Sequence, residues 1–94
     1  AEEWYLMGAR AGDAFAMERL GHLIFQYDPA GGFEWFLQAA MNGVSTAMGT
    51  VGFCYLEGAG VDKDLSEARK WLKMASDNGI SEASEALAGI PSDE

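Results

Sequence analysis

Trp35-Phe36-Leu37-Gln38-Ala39-Ala40-Met41-Asn42-Gly43 is the stretch on which the fold reading turns. A tryptophan is followed at once by a large apolar residue, at four and five positions by small residues, and at eight by glycine. The same order recurs around Trp4, with Tyr5, Gly8, Ala9 and Gly12, and around Trp71, with Leu72, Ala75, Ser76 and Gly79. Positions i, i+4, i+5 and i+8 lie along one face of an α-helix, and small residues there let two backbones approach closely. A second pattern follows each glycine: alanine four residues on (Ala16, Ala47, Ala83), then Leu20, Val51 or Leu87, and directly after them Gly21, Gly52 or Ala88. Two helical templates therefore alternate, with the tryptophans 31 and then 36 residues apart.

Composition sets the frame for that repeat. The chain has 94 residues, 49% apolar and 22% charged, the size and balance of one small soluble globular domain. Its formal net charge is −9, which repels phosphate backbones and makes DNA and RNA poor partners. No apolar run approaches the roughly 18 to 20 residues that cross a bilayer, so no membrane insertion is expected. With one cysteine, Cys54, and one histidine, His22, the chain forms neither an internal disulfide nor a structural zinc site of nitrogen and sulfur ligands. Packing alone must hold the fold, and helix pairs too small to close a core individually must pool their apolar faces.

The expected fold class is all-α, an α-solenoid of antiparallel helix pairs with about six helices. Template and stop signals place them at 2–11, 13–27, 33–42, 45–57, 65–78 and 81–88, the last ended by Gly89 and Pro91. The chain then reads as one repeat domain over 1–94: a tryptophan-helix half unit at 1–12, a shortened first unit at 13–43, a second unit at 44–79, and a capping helix and tail at 80–94. The three tryptophans are expected at equivalent buried sites, and the methionines mainly as core filler.

The second unit carries a more specific signal. Val51-Gly52-Phe53-Cys54-Tyr55-Leu56-Glu57-Gly58-Ala59-Gly60-Val61, followed by Asp64, Ala68, Trp71, Ala75 and Gly79, closely resembles the Sel-one-like repeat, a tetratricopeptide-like helical hairpin. Val51 stands where the family has leucine. The first unit departs further: Ile24 replaces the tyrosine, and Tyr27-Asp28-Pro29-Ala30-Gly31-Gly32 replaces the longer connection from Gly58 to Asp64. The resemblance runs from Trp4 to about Ala88. It implies a TPR-like superhelix and a non-enzymatic adaptor or scaffold, with short soluble forms known chiefly from the bacterial cytoplasm or periplasm. Some relatives look like immunity-type inhibitors of a toxin or enzyme, and some cysteine-rich ones have been linked to cell-wall or β-lactam binding, which keeps a small hydrolase as the alternative.

Asp62, Asp64 and Glu67 lack the spacing of a calcium loop, whereas Asp64 three residues before Glu67 suits a helix N-cap. Gly58-Ala59-Gly60-Val61 has no lysine, third glycine or preceding strand, so it is a turn and not a phosphate cradle. Cys54 has no base beside it in sequence and reads as a small core residue with a poorly reactive thiol. No catalytic residue, metal site or cofactor is assigned. The resemblance implies that the first helix of each pair lines a concave groove, which puts Phe15, Glu18, His22, Phe25 and Gln26 there from the first unit. Thr46, Gly49, Phe53, Leu56 and Glu57 follow from the second, and Glu82 and Glu85 from the last helix. Phenylalanines there suit anchoring and glutamates suit steering of a basic partner. The expected partner is another protein or peptide with a basic segment.

Overall fold

The computed structural model describes residues 2–10 and 12–90. Six helices run in order, α1 (Glu2–Arg10), α2 (Ala14–Phe25), α3 (Pro29–Met41), α4 (Ser45–Glu57), α5 (Leu65–Asp77) and α6 (Ser81–Gly89), and there is no strand among the described residues. Each helix packs on the next, most extensively within the pairs α2–α3 and α4–α5. The result is an elongated slab of 44 × 25 × 16 Å.

The spacing of eight from tryptophan to glycine measures the distance to a helix stop. Gly12, Gly43 and Gly79 have φ of +93°, +94° and +91°, and a Cβ at any of them would meet nothing within 4 Å. The left-handed backbone, not space, is what demands glycine here. The next N–H in each case, of Asp13, Val44 and Ile80, donates to the carbonyl of Gly8, Ala39 and Ala75 at 2.9, 3.1 and 3.1 Å, the six-to-one bond of a Schellman closure. The following helix begins at once. Asp13 caps α2 by accepting from the backbone N–H of Phe15 at 3.0 Å and Ala16 at 3.3 Å.

Within a pair, the large residue after the tryptophan sits on the glycine of the preceding helix. A Cβ on Gly21 would lie 2.7 Å from the Phe36 ring, and one on Gly52 would lie 2.6 Å from Leu72 Cγ. Phe36 and Leu72 are 2% and 0% exposed. They, not the tryptophans, occupy the equivalent buried sites. Trp35 and Trp71 are half-buried at the core edge, and Trp4 is 74% exposed. The expectation of three buried tryptophans is corrected accordingly: the residue one step further round the helix faces the partner glycine, and α1 packs chiefly on α2. Met17 is core and Met48 is packed against it, but Met7 and Met41 are exposed, so the core-filler reading fails for those two.

α3 begins four residues earlier than expected, at Pro29 instead of Phe33. Asp28 accepts from the Gly31 N–H at 3.1 Å, and proline suits the first turn. Gly31 and Gly32 read as loop residues by propensity, but a Cβ on Gly32 would strike the Gly21 carbonyl and Phe25 Cα at 2.7 Å. Close helix crossing makes that glycine useful inside the helix. The first connection thus shrinks to residues 26–28, against 58–64 in the second unit. In the longer loop Gly60, at φ +76°, lies against the Pro29 carbonyl, and Asp64 donates its N–H to the Tyr55 carbonyl at 2.9 Å. Asp64 also caps α5 by accepting from the Glu67 N–H at 3.1 Å, as expected.

The core is continuous from Ala9 through Met17, Leu20, Phe33 and Phe36 to Val51 and Cys54. A second cluster forms around Leu72, Ala75 and Ala83, and Met48 packs against both. Phe33 meets Tyr55 edge-on at 5.3 Å, tying α3 to α4.

Candidate functional site

Helices α2, α4 and α6, the first members of successive pairs, share one face of the slab, and two depressions open on it. The first, about 240 Å³, is lined by His22, Phe25, Phe36, Thr50, Phe53, Cys54, Glu57 and Ala59. The second, about 260 Å³, is lined by Thr46, Gly49, Thr50, Phe53, Ile80 and Glu82. Thr50 and Phe53 belong to both, so the depressions adjoin. The first lies between α2 and α4 and the second between α4 and α6.

In the first depression aromatic rings form the walls. Phe25 lies 5.7 Å from Phe36 and the His22 ring meets Phe36 edge-on at 4.8 Å. Phe36 itself is core, pressed on Gly21, and forms the floor. Glu57 is exposed and has no ion-pair or hydrogen-bond partner among the described residues; the same holds for Glu82 in the second depression.

His22 and Cys54 line the same depression, the pair a thiol nucleophile requires. Burial, with the Glu57 charge adding to it, pushes the Cys54 thiol up to about 11. That is the reverse of activation, which needs a depressed thiol pKa. Cys54 is a buried core residue, as expected. No group of three or more His, Cys, Asp or Glu side chains among the described residues is arranged to hold a metal ion.

Of the residues expected at the groove, His22, Phe25, Thr46, Gly49, Phe53, Glu57 and Glu82 line the depressions. Phe15 is 68% exposed and lines neither. Glu18 lies at the edge, its carboxylate accepting from Thr46 Oγ1 at 2.7 Å and bridging α2 to α4. Leu56 turns inward and packs on the cluster of Leu72, Ala75 and Ala83. Gln26 and Glu85 are exposed outside both depressions. Thr50 was missed, although its register with Thr46 and Phe53 on α4 is a helical-face signal. Phe36, Ile80 and Ala59 enter from other segments and depend on how the helices cross.

A model of the Sel1 repeat matches residues 1–13, 14–44 and 46–80. The chain belongs to the Sel1 repeat family. Sel1 repeat proteins are generally protein-interaction modules. The chain is similar in structure to a protective antigen of uropathogenic Escherichia coli displaying an SLR fold, with a TM-score of 0.88 and 35% identity over 96% of this chain and 20% of that one. It is also similar to a Sel1 repeat protein from Oxalobacter formigenes, with a TM-score of 0.77 and 25% identity over 80% of this chain and 33% of that one. In sequence it is 33% identical over 75 residues to a chitin synthase regulator of Saccharomyces cerevisiae, spanning 80% of this chain and 9% of the regulator. The Sel1 repeats here thus correspond to a minor part of each relative. No described helix is long and apolar enough to cross a membrane.

Proposed function

We propose that this chain is a non-enzymatic docking module whose α2–α4–α6 face holds a basic segment of another protein. The observation that carries it is the pairing, in each depression, of an apolar interior with a glutamate, Glu57 or Glu82, that has no ion-pair or hydrogen-bond partner among the described residues. The cations Lys70 and Lys73 sit on α5 and are engaged there by Glu67 at 3.2 Å and Asp77 at 3.8 Å. Burying phenylalanine surface supplies adhesion, while the net charge of −9 accelerates encounter with a basic partner. The raised thiol of Cys54 speaks against the hydrolase alternative. A yeast relative that regulates another enzyme fits a chain that acts by docking.

Photo-crosslinking tests the placement. A photoreactive amino acid at position 53 is expected to capture a protein partner that salt releases in the uncrosslinked control, and the same group at position 73 on α5 is not. Capture from position 73 alone would move the site to the opposite face and refute the proposal.

A further inference from the structure

Asn42 and Asn78 hold the same place in successive repeats, each directly before the glycine of a helix closure, Gly43 or Gly79. Asn-Gly is the dipeptide most prone to spontaneous deamidation, because glycine has no side chain to shield its amide nitrogen. That nitrogen gives up its proton and bonds to the asparagine Cγ; the Cγ–Nδ2 bond breaks and ammonia departs, leaving a cyclic imide. Water opens the imide at either carbonyl, to aspartate or isoaspartate. Amide and water thus become carboxylate and ammonium, with no oxidant or cofactor.

The fold blocks this chemistry at both sites in the same way. Ring closure requires the glycine nitrogen to eclipse Cβ about the asparagine Cα–C bond. With ψ of 13° at Asn42 and 14° at Asn78, it nearly eclipses the asparagine's own nitrogen instead. The glycine N–H is also engaged, donating to the carbonyl of Ala40 or Ser76 at 3.0 Å. The side-chain amide is held too: Nδ2 donates to the carbonyl of Gln38 or Met74 at 2.8 Å and lies 3.9 or 4.0 Å from the Met17 or Met48 sulfur. Deamidation therefore waits for the closure to open.

The two closures differ in what holds the next helix. Beyond Gly43, α4 buries Ala47, Gly49, Val51, Gly52 and Cys54; beyond Gly79, α6 buries Ala83 alone among the described residues. Segments with few buried contacts open first. We infer that Asn78 is a deamidation site gated by release of α6, and that its modification keeps α6 from closing again. A carboxylate at 78 loses both Nδ2 contacts and sets a second negative charge beside Asp77 at the C-terminal end of α5, where the helix dipole opposes it. Isoaspartate also adds a methylene to the backbone between Ala75 and Ile80, whose carbonyl and N–H close the turn at 3.1 Å. Ile80 walls the second depression, so the groove changes with the closure.

The test incubates the 94-residue chain at mildly alkaline pH, with and without urea. Mass spectrometry quantifies both Asn-Gly peptides, and isoaspartyl methyltransferase marks the rearranged product. In urea both sites are expected to deamidate at similar rates. In buffer Asn78 should react about ten- to a hundredfold more slowly than in urea, the protection of a local opening, and Asn42 more slowly again. Leu87→Ala, which trims the packing of α6 on Leu72 and Ala75, should speed Asn78 severalfold in buffer and leave Asn42 and the urea rates unchanged. Asn78→Asp, followed by amide hydrogen exchange, should lose protection at Ile80 and through α6 while α2 to α4 keep theirs. A rate at Asn78 in buffer equal to that in urea would refute gating by the fold. Equal buffer rates at the two sites, or no response to Leu87→Ala, would refute gating by α6. Undiminished protection at Ile80 in Asn78→Asp would refute the lasting effect on the closure.

Discussion

Gly52→Ala places a methyl group where the structure has none to spare. The new Cβ would lie 2.6 Å from Leu72 Cγ, 2.7 Å from Leu72 Cδ2 and 3.1 Å from the Leu72 backbone nitrogen. Leu72 is fully buried and its backbone nitrogen is part of the contact, so α4 and α5 must separate. Alanine gains up to about 1 kcal/mol in helix propensity, and forcing a methyl into a packed interface costs about 1–3 kcal/mol. The backbone contact puts this site toward the upper end, for a net loss of about 1–2 kcal/mol. Gly49→Ala is the internal control. It lies on the same helix, and its nearest neighbours would be Ala75 Cβ at 3.7 Å and Ile80 Cγ2 at 3.8 Å, ordinary contact, so it should be neutral or stabilising. Urea unfolding followed by helical circular dichroism at constant m-value reads both. Leu72→Ala alone should cost about 2–5 kcal/mol, but in that background Gly52→Ala should destabilise much less, since only the contact with the backbone nitrogen remains. If Gly52→Ala raises stability as Gly49→Ala does, the glycine-on-leucine closure is wrong.

The other perturbations probe separate parts of the fold. Gly43→Ala should lose about 1–2 kcal/mol in the same urea assay although its Cβ meets nothing, because φ is +94°. Trp4→Ala should change stability by less than about 0.5 kcal/mol, whereas half-buried Trp35→Ala should cost about 2 kcal/mol. The Cys54 thiol, raised to about 11 from 9.0, holds its proton longer folded than unfolded. Its effect is therefore neutral below pH 9 and destabilising as pH rises from 9 to 11. Wild type should lose about 2 kcal/mol more than Cys54→Ala over that interval, and a thiol reagent at pH 8 should react slowly until urea unfolds the chain.

Much of this was legible because two constraints repeat. Glycine eight residues after tryptophan is demanded by a left-handed closure, and glycine after Leu20 or Val51 by a large residue pressed on it. Any sequence that builds the helix pair must show both, which is why the α4 limits, Ser45 and Glu57, were read to the residue. The start of α3 was hidden because Gly31 and Gly32 favour loop by propensity, and only contact with α2 makes Gly32 suitable for helix. Tryptophan burial was misread for a related reason: a shared helical face says which residues point together, not which of two neighbours meets the partner backbone. On the candidate face, register along α2 and α4 reached His22, Phe25, Phe53 and Glu57. It missed Phe36 and Ile80, which arrive from a different helix and a turn, and it did not show that Leu56 folds into the core or that Glu18 bridges to Thr46.

The most direct test of the docking account is surface plasmon resonance on the crosslinked partner once purified, comparing wild type, Phe53→Ala and the double variant Glu57→Gln/Glu82→Gln at two salt concentrations. The account predicts that Phe53→Ala chiefly accelerates dissociation, by about 30-fold for a loss of 2 kcal/mol. The double glutamine variant should slow association and flatten its dependence on salt. A partner whose association is unchanged by removing both carboxylates, and whose dissociation is unchanged by removing the Phe53 ring, would show that the α2–α4–α6 face is not where this protein binds.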